Sequence, residues 1–181
     1  NGSIIPKSEQ LEHLYKMKKT MIDVSIDAVG DLASCIRWGI NWEVIYENLK
    51  IWAAIGKENP NVKVNIHTTL SILNINKIQD IIDLTEELGL CFSHHQLYSP
   101  DFFHHGQLPV EYREKWKINS EILDQYQIDD INRNITENYP VENQLYDFEL
   151  AIEWLDQFQG MKFKDYNPEI WDLAMEVKNY F

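Results

Sequence analysis

Residues 62–72, VKVNIHTTLSI, set the strongest constraint on the fold. Val62, Val64 and Ile66 fall on one side of an extended chain, and Asn65, His67 and Thr69 on the other. Two more stretches follow the same rule. In 21–27, Ile22, Val24 and Ile26 alternate with Asp23, Ser25 and Asp27, and 90–98, LCFSHHQLY, is closed by Ser99-Pro100. Helical patterns lie between them. Residues 42–55 bury Ile45, Leu49, Trp52 and Ala53, with Asn41 as the cap, Gly56 as the stop and Asn59-Pro60-Asn61 as the turn beyond. Residues 76–88 bury Ile78, Ile81, Ile82 and Leu88 with Thr85 among them, and Gly89 suits the position after the helix. Strands separated by helices of this length form βα units, and βα units require a parallel sheet. The expected fold class is α/β. Residues 1–103 are expected to form parallel βα repeats of a partial, TIM-like barrel, with right-handed crossovers that lay helices over the sheet.

The remainder reads differently. A helix is expected over 8–19, capped by Ser8, with Leu11, Leu14 and Tyr15 on one face. Residues 104–181 read as a mainly helical C-terminal extension. Within it a helix is expected from Pro109 to about Tyr126, a polar loop broken by Pro140 over 129–143, and helices near 145–159 and 168–180. Phe148, Ile152 and Leu155 mark the buried face of the first of these two, and Ile170, Leu173, Ala174 and Val177 that of the second.

Charge narrows the partners. Sixteen basic residues against 29 acidic ones leave a net charge of −13. Nucleic-acid binding depends on cations that release counterions from phosphates, and an anionic membrane surface asks for the same, so neither partner is expected. A small molecule or a peptide is the expected substrate class. Cys35 and Cys91 form no CxxC pair, which argues against a disulfide framework or a four-cysteine metal site and suits a reducing cytoplasm. No apolar run approaches the roughly 20 residues of a membrane span. The opening Asn-Gly, without an initiator Met or a signal-peptide pattern, suggests a piece of something longer.

In βα arrays, ligands sit at the carboxyl ends of the strands. Here those ends are Ser25 to Asp31, His67 to Asn74 and Gln96 to Asp101, all rich in hydrogen-bonding groups. Ser25 and Asp27, two apart, share a side and can hold an amine or hydroxyls, while Arg37 can clamp a carboxylate. Asp27 equally suits a helix cap with Arg37 as its ion pair. Asn65, His67 and Thr69 share the polar face of their strand. His94-His95 and His104-His105 invite a metal reading, but adjacent strand residues face opposite ways. Trp38, Trp42, Tyr46 and Trp52 at helical spacing read as core, and Phe102-Phe103 as a pocket mouth.

With these residues in view, "VSIDAVGD…IRWGINWEVIYENLKIW", "KVNIHTTLSILNINKIQDIIDLTEELGL" and "CFSHHQLYSPDFF" together resemble the last three βα units of the radical S-adenosylmethionine enzymes, and the opening "NGS" resembles the Thr-Asn-Gly before them. The nearest subgroup carries a "twitch"-type C-terminal extension. The resemblance covers residues 1–103. It implies S-adenosylmethionine and a 4Fe-4S cluster as cofactors of the complete enzyme. The cluster's CxxxCxxC and the Gly-Gly-Glu-Pro-like motif are not in this chain. By resemblance, Ser25 contacts the cofactor's polar end, Arg37 its carboxylate, and Asp27 the space shared with substrate. Asn65 and Thr69 lie near ribose or substrate, and Leu97 and Tyr98 flank the adenine. The usual Gly after the Asp is Ala28 here. The implied function is that of the C-terminal portion of such an enzyme, orienting cofactor and substrate for hydrogen abstraction by a 5′-deoxyadenosyl radical. The chain alone is then expected to be inactive, and its exposed sheet edges to promote self-association.

Two readings of other kinds stand beside this one. A metal-dependent βα-barrel hydrolase would use His67, His95, His104 and Asp27. A non-catalytic acidic binding module would hold a peptide at the rim.

Overall fold

The structure is a computed structural model that describes residues 2–139 and 142–180. Pro140, expected to break a loop, and Asn1 of the opening turn lie outside the described residues. A short helix α1 (Ser8–Tyr15) leads into β1 (Thr20–Ser25). Two helices, α2 (Asp31–Ile36) and α3 (Trp42–Glu58), connect β1 to β2 (Val62–Leu70). One helix, α4 (Ile78–Leu88), connects β2 to β3 (Cys91–Gln96). The sheet is parallel in the order β1-β2-β3, with Val24 beside Ile66 and Ile66 beside Phe92.

The alternation read from the sequence sorts the sheet into two unlike faces. Val24, Val64, Ile66, Leu70 and Phe92 are buried on one face beneath the helices. Ile45 and Leu49 of α3 and Ile78, Ile81 and Ile82 of α4 complete that core. Asp23, Ser25, Asn65, His67, Thr69, Ser93 and His95 occupy the alternate positions, and no helix separates their network of hydrogen bonds.

Several boundaries differ from expectation, each for a local reason. Helix α1 starts at Ser8 itself, and the Lys7 backbone N–H donates to the Gln10 side chain at 2.9 Å. Asn41 caps α3 as expected, accepting from the Val44 N–H at 3.1 Å. Gly56 does not stop α3. The helix runs on past it to Glu58, and Asn59 ends the helix by donating its side-chain amide to the Ile55 carbonyl. Gly89 closes α4 in the left-handed conformation, at φ 63°. Trp38 stands 64% exposed, so it leaves the expected aromatic core set, whereas Trp52 is buried.

The C-terminal region departs furthest. In place of a helix from 109 to 126 there is a single turn α5 (Val110–Arg113), a 3₁₀ turn and an irregular stretch. In place of a loop over 129–143, helix α6 (Gln125–Thr136) runs to Thr136. Asp124 accepts from the Gln127 N–H at 2.8 Å and Gln127 returns a bond to the Asp124 N–H, a reciprocal cap in a segment too polar to read as periodic. Helices α7 (Leu145–Gln159), α8 (Phe163–Tyr166) and α9 (Pro168–Lys178) follow, and Phe148, Ile152, Ile170 and Ala174 join the same apolar core as Ile72 and Ile75.

Arg113 holds this region together. Its side chain is 1% exposed, and its guanidinium donates to the carbonyls of Leu108, Ile135 and Glu137. Two of these lie at the C-terminal end of α6, where carbonyls lack helical partners and a cation is favoured. Replacing Arg113 with Met fills the volume but leaves three acceptors unpaired, two of them buried and the Glu137 carbonyl partly so. Arg113→Met should therefore destabilise the chain by about 3 kcal/mol or more, read as a lower urea midpoint at unchanged slope.

Candidate functional site

The carboxyl ends of β1 and β2 converge on Asp27. Its Oδ2 accepts from Arg37 Nε at 2.7 Å and lies 2.6 Å from Nη2, while its Oδ1 accepts the Thr69 backbone N–H at 2.9 Å. The pair is only partly open to water, with side-chain exposures of 31% for Arg37 and 12% for Asp27. Asp27 does not cap the following helix: Gly30, at φ 69°, occupies that position without a side-chain bond. Arg37 reaches the rim because α2 ends at Ile36 and the next residue turns extended. Among the described residues, neither Arg37 Nη1 nor the Ser25 hydroxyl has a hydrogen-bond partner.

Asn74 fixes this geometry. It is fully buried, donating to the Asp27 carbonyl at 2.8 Å and the Thr69 carbonyl at 2.9 Å. Its Oδ1 accepts the Ser71 N–H at 2.9 Å. One side chain thus ties the ends of two strands to the turn that starts α4. The sequence signals the turn through Ser71 and Asn74, but not the bridging.

Below the rim, the polar face is a continuous network. Asn65 donates to Asp23 Oδ1 at 2.8 Å and to Ser93 Oγ at 2.7 Å. Ser93 Oγ lies 2.8 Å from His67 Nδ1, His67 Nε2 lies 2.6 Å from His95 Nδ1, and His95 Nε2 lies 3.3 Å from Thr69 Oγ1. Of the residues expected at the site, Ser25, Asp27, Arg37 and Thr69 gather at the rim. Asn65 sits lower, with both amide hydrogens engaged inside the protein. Asp23 and Ser93 join the site without having been singled out, although the period of two already placed them on its face.

The histidines separate as the pleat requires. His95 meets His67, whereas His94 points to the helical side, bonded to Asn134 and 3.5 Å from Asp130. Burial pushes the His94 pKa down, against the pull of Asp130. His104 and His105 stack on each other near Tyr139. Among the described residues, no three His, Cys, Asp or Glu side chains gather as a metal site, so the four groups of the hydrolase reading do not form one. Phe103 packs edge-on against Phe148 in the core instead of lining a pocket mouth. Tyr98 is exposed beside His104. Cys35 is buried in α2, and burial followed by Asp156 raises its thiol to about 11. Cys91 is exposed where β3 begins.

A cleft of about 600 Å³ opens at the other end of the sheet, between Gly56, Lys57, Val64, Leu90 and Cys91. The Asp27–Arg37 ion pair and the donors and acceptors that converge on it lie at the opposite end of the strands, at the rim. No helix among the described residues is long and apolar enough to cross a membrane. Compared with protein-family models, curated proteins and solved structures, the chain matches none.

Two measurements probe this arrangement. Asn74→Asp turns a donor into a carboxylate facing two carbonyl oxygens, so it should destabilise more than Asn74→Ala, itself expected to cost about 2 kcal/mol in denaturant unfolding. His105 is held near a pKa of about 3 by burial, reinforced by His104. Its folded value is depressed, so stability is intact above the unfolded value near 6.5 and declines as pH falls towards 3. The expected slope from this residue is about 1 kcal/mol per pH unit, and His105→Leu should flatten it in urea titrations across that range.

Proposed function

We propose that this chain is the C-terminal portion of a radical S-adenosylmethionine enzyme, orienting cofactor and substrate on the polar face of a partial βα barrel. The observation that carries the reading is the rim: Asp27 locked between Arg37 and the Thr69 amide, with Arg37 Nη1 and the Ser25 hydroxyl turned to a ligand. Three consecutive parallel strands joined by two helical crossovers support it, as does a face that is polar where a parallel sheet covered by helices on both sides would be apolar. Such a face suits the interior of a barrel whose other strands come from elsewhere.

Each group then has a task. Arg37 pairs with the methionyl carboxylate through Nη1 while Asp27 fixes its plane. Ser25 donates to the cofactor's polar end. Thr69 faces ribose or substrate, and Asn65 stiffens the strands beneath. Cys35 and Cys91, one buried and one at the foot of the sheet, are not placed to hold a 4Fe-4S cluster together, so its ligands belong to residues outside this chain. When bound, the cluster and cofactor supply the 5′-deoxyadenosyl radical that abstracts hydrogen, and the protein positions the groups and excludes water.

The protein from the complete reading frame, purified without oxygen and reconstituted with iron and sulfide, should release 5′-deoxyadenosine from S-adenosylmethionine under dithionite. Arg37→Ala should weaken cofactor binding by about 1.5–3 kcal/mol by calorimetry, the size of a charged hydrogen bond. Absence of any cluster in that protein, or unchanged affinity in the variant, would sink the reading.

A non-catalytic binding module is the second reading. It is favoured by an exposed aromatic patch in which Trp154 stacks on Phe158 at 5.5 Å and Trp38 meets Phe158 at 4.9 Å.

A further inference from the structure

One carboxylate orients the first link of the hydrogen-bonded chain on the polar face. The Asp23 carboxylate can only accept. Its contact at 2.8 Å therefore fixes the Asn65 amide with its NH₂ outward, one hydrogen on Asp23 and the other on Ser93 Oγ. The Ser93 hydroxyl can accept from Asn65 and donate its own hydrogen to His67 Nδ1, 2.8 Å away. With Ser93 as that donor, the His67 ring carries its proton on Nε2 and faces His95 Nδ1 as a donor at 2.6 Å. His95 is placed in the same tautomer, with its Nε2–H aimed at Thr69 Oγ1, 3.3 Å away. The Thr69 hydroxyl hydrogen is left over, at the rim, on the residue whose backbone N–H holds Asp27.

We propose that His67 and His95 form a proton relay that delivers a proton to, or withdraws one from, a basic oxygen or nitrogen of a ligand seated at the rim beside Arg37. The transfer balances without any further reagent. Thr69 gives its hydroxyl proton to the ligand and takes the Nε2 proton of His95. His95 Nδ1 takes the Nε2 proton of His67, and His67 Nδ1 takes the proton of Ser93, which is replaced from water. One proton has moved from water to the ligand, and both rings now carry hydrogen on Nδ1. The chain is then reversed and ready to take a proton back. Asn65 conducts nothing; it orients the first link. This function is independent of radical chemistry, which abstracts a hydrogen atom and needs no such chain.

Nitrogen NMR of the ¹⁵N-histidine-labelled chain tests the proposal directly. In the wild type, both His67 and His95 should show the Nε2–H tautomer, with a scalar coupling across the hydrogen bond from His67 Nε2 to His95 Nδ1. Ser93→Asp replaces a donor by an acceptor, so it should turn His67 to the Nδ1–H tautomer and carry His95 with it, two links away. Thr69→Val should leave both tautomers and the coupling in place while removing the outlet. An Nδ1–H tautomer for His67 in the wild type, or a His95 that ignores the change at Ser93 while the backbone spectrum stays native, would overturn the relay. Neither outcome bears on cofactor cleavage, which is read separately.

Discussion

The period of two along β2 is the constraint on which the rest of the structure hangs. Nine residues of a central strand send Val62, Val64, Ile66, Thr68 and Leu70 to one side and Lys63, Asn65, His67 and Thr69 to the other. Parallel sheets are normally buried on both faces, because their crossovers are helices. Here both crossovers lie over one face. The other keeps its polar groups satisfied by one another: Asp23, Asn65, Ser93, His67 and His95 bond laterally from strand to strand. A one-residue slip of β2 would bury His67 and expose Ile66, so the same alternation that defines the core also fixes the register of the polar network.

The fold core was legible because strand and helix periods are strong signals when apolar residues are frequent. All three strands and the helices α3, α4, α7 and α9 lie where alternation and spacing place them, within a few residues. Helix α6 was illegible for the opposite reason. Its buried residues are only Ile131 and Ile135, and its start depends on a reciprocal bond between Asp124 and Gln127 that looks like any polar pair in sequence. Helix α2, six residues long, has too few turns for a period to emerge.

The site divides along the same line. Ser25, Asp27 and Thr69 could be named from strand ends, because a parallel sheet sends its loops to one edge, and Arg37 from its capacity to clamp a carboxylate. Asn74 could not. Its importance lies in bridging two carbonyls 47 and 5 residues away in sequence, and composition carries no trace of that distance. The anchoring of α6 by Arg113 is similar. A buried guanidinium donating to three carbonyls follows from tertiary closure and not from any motif. Local signals thus identify which groups stand at the rim, and long-range hydrogen bonds determine how firmly they are held.

The two cysteines, placed at very different depths, give the molecule an orthogonal chemical address. The thiol of Cys35 is closed off in α2 and raised to about 11, so at neutral pH it offers almost no thiolate. Cys91 stands in solvent at the start of β3, four residues before His95 on the same side of the strand. A maleimide spin label or fluorophore would therefore attach at one end of the polar face without any engineered mutation. From there it looks along the strand towards the rim, a built-in vantage point for watching that face become covered.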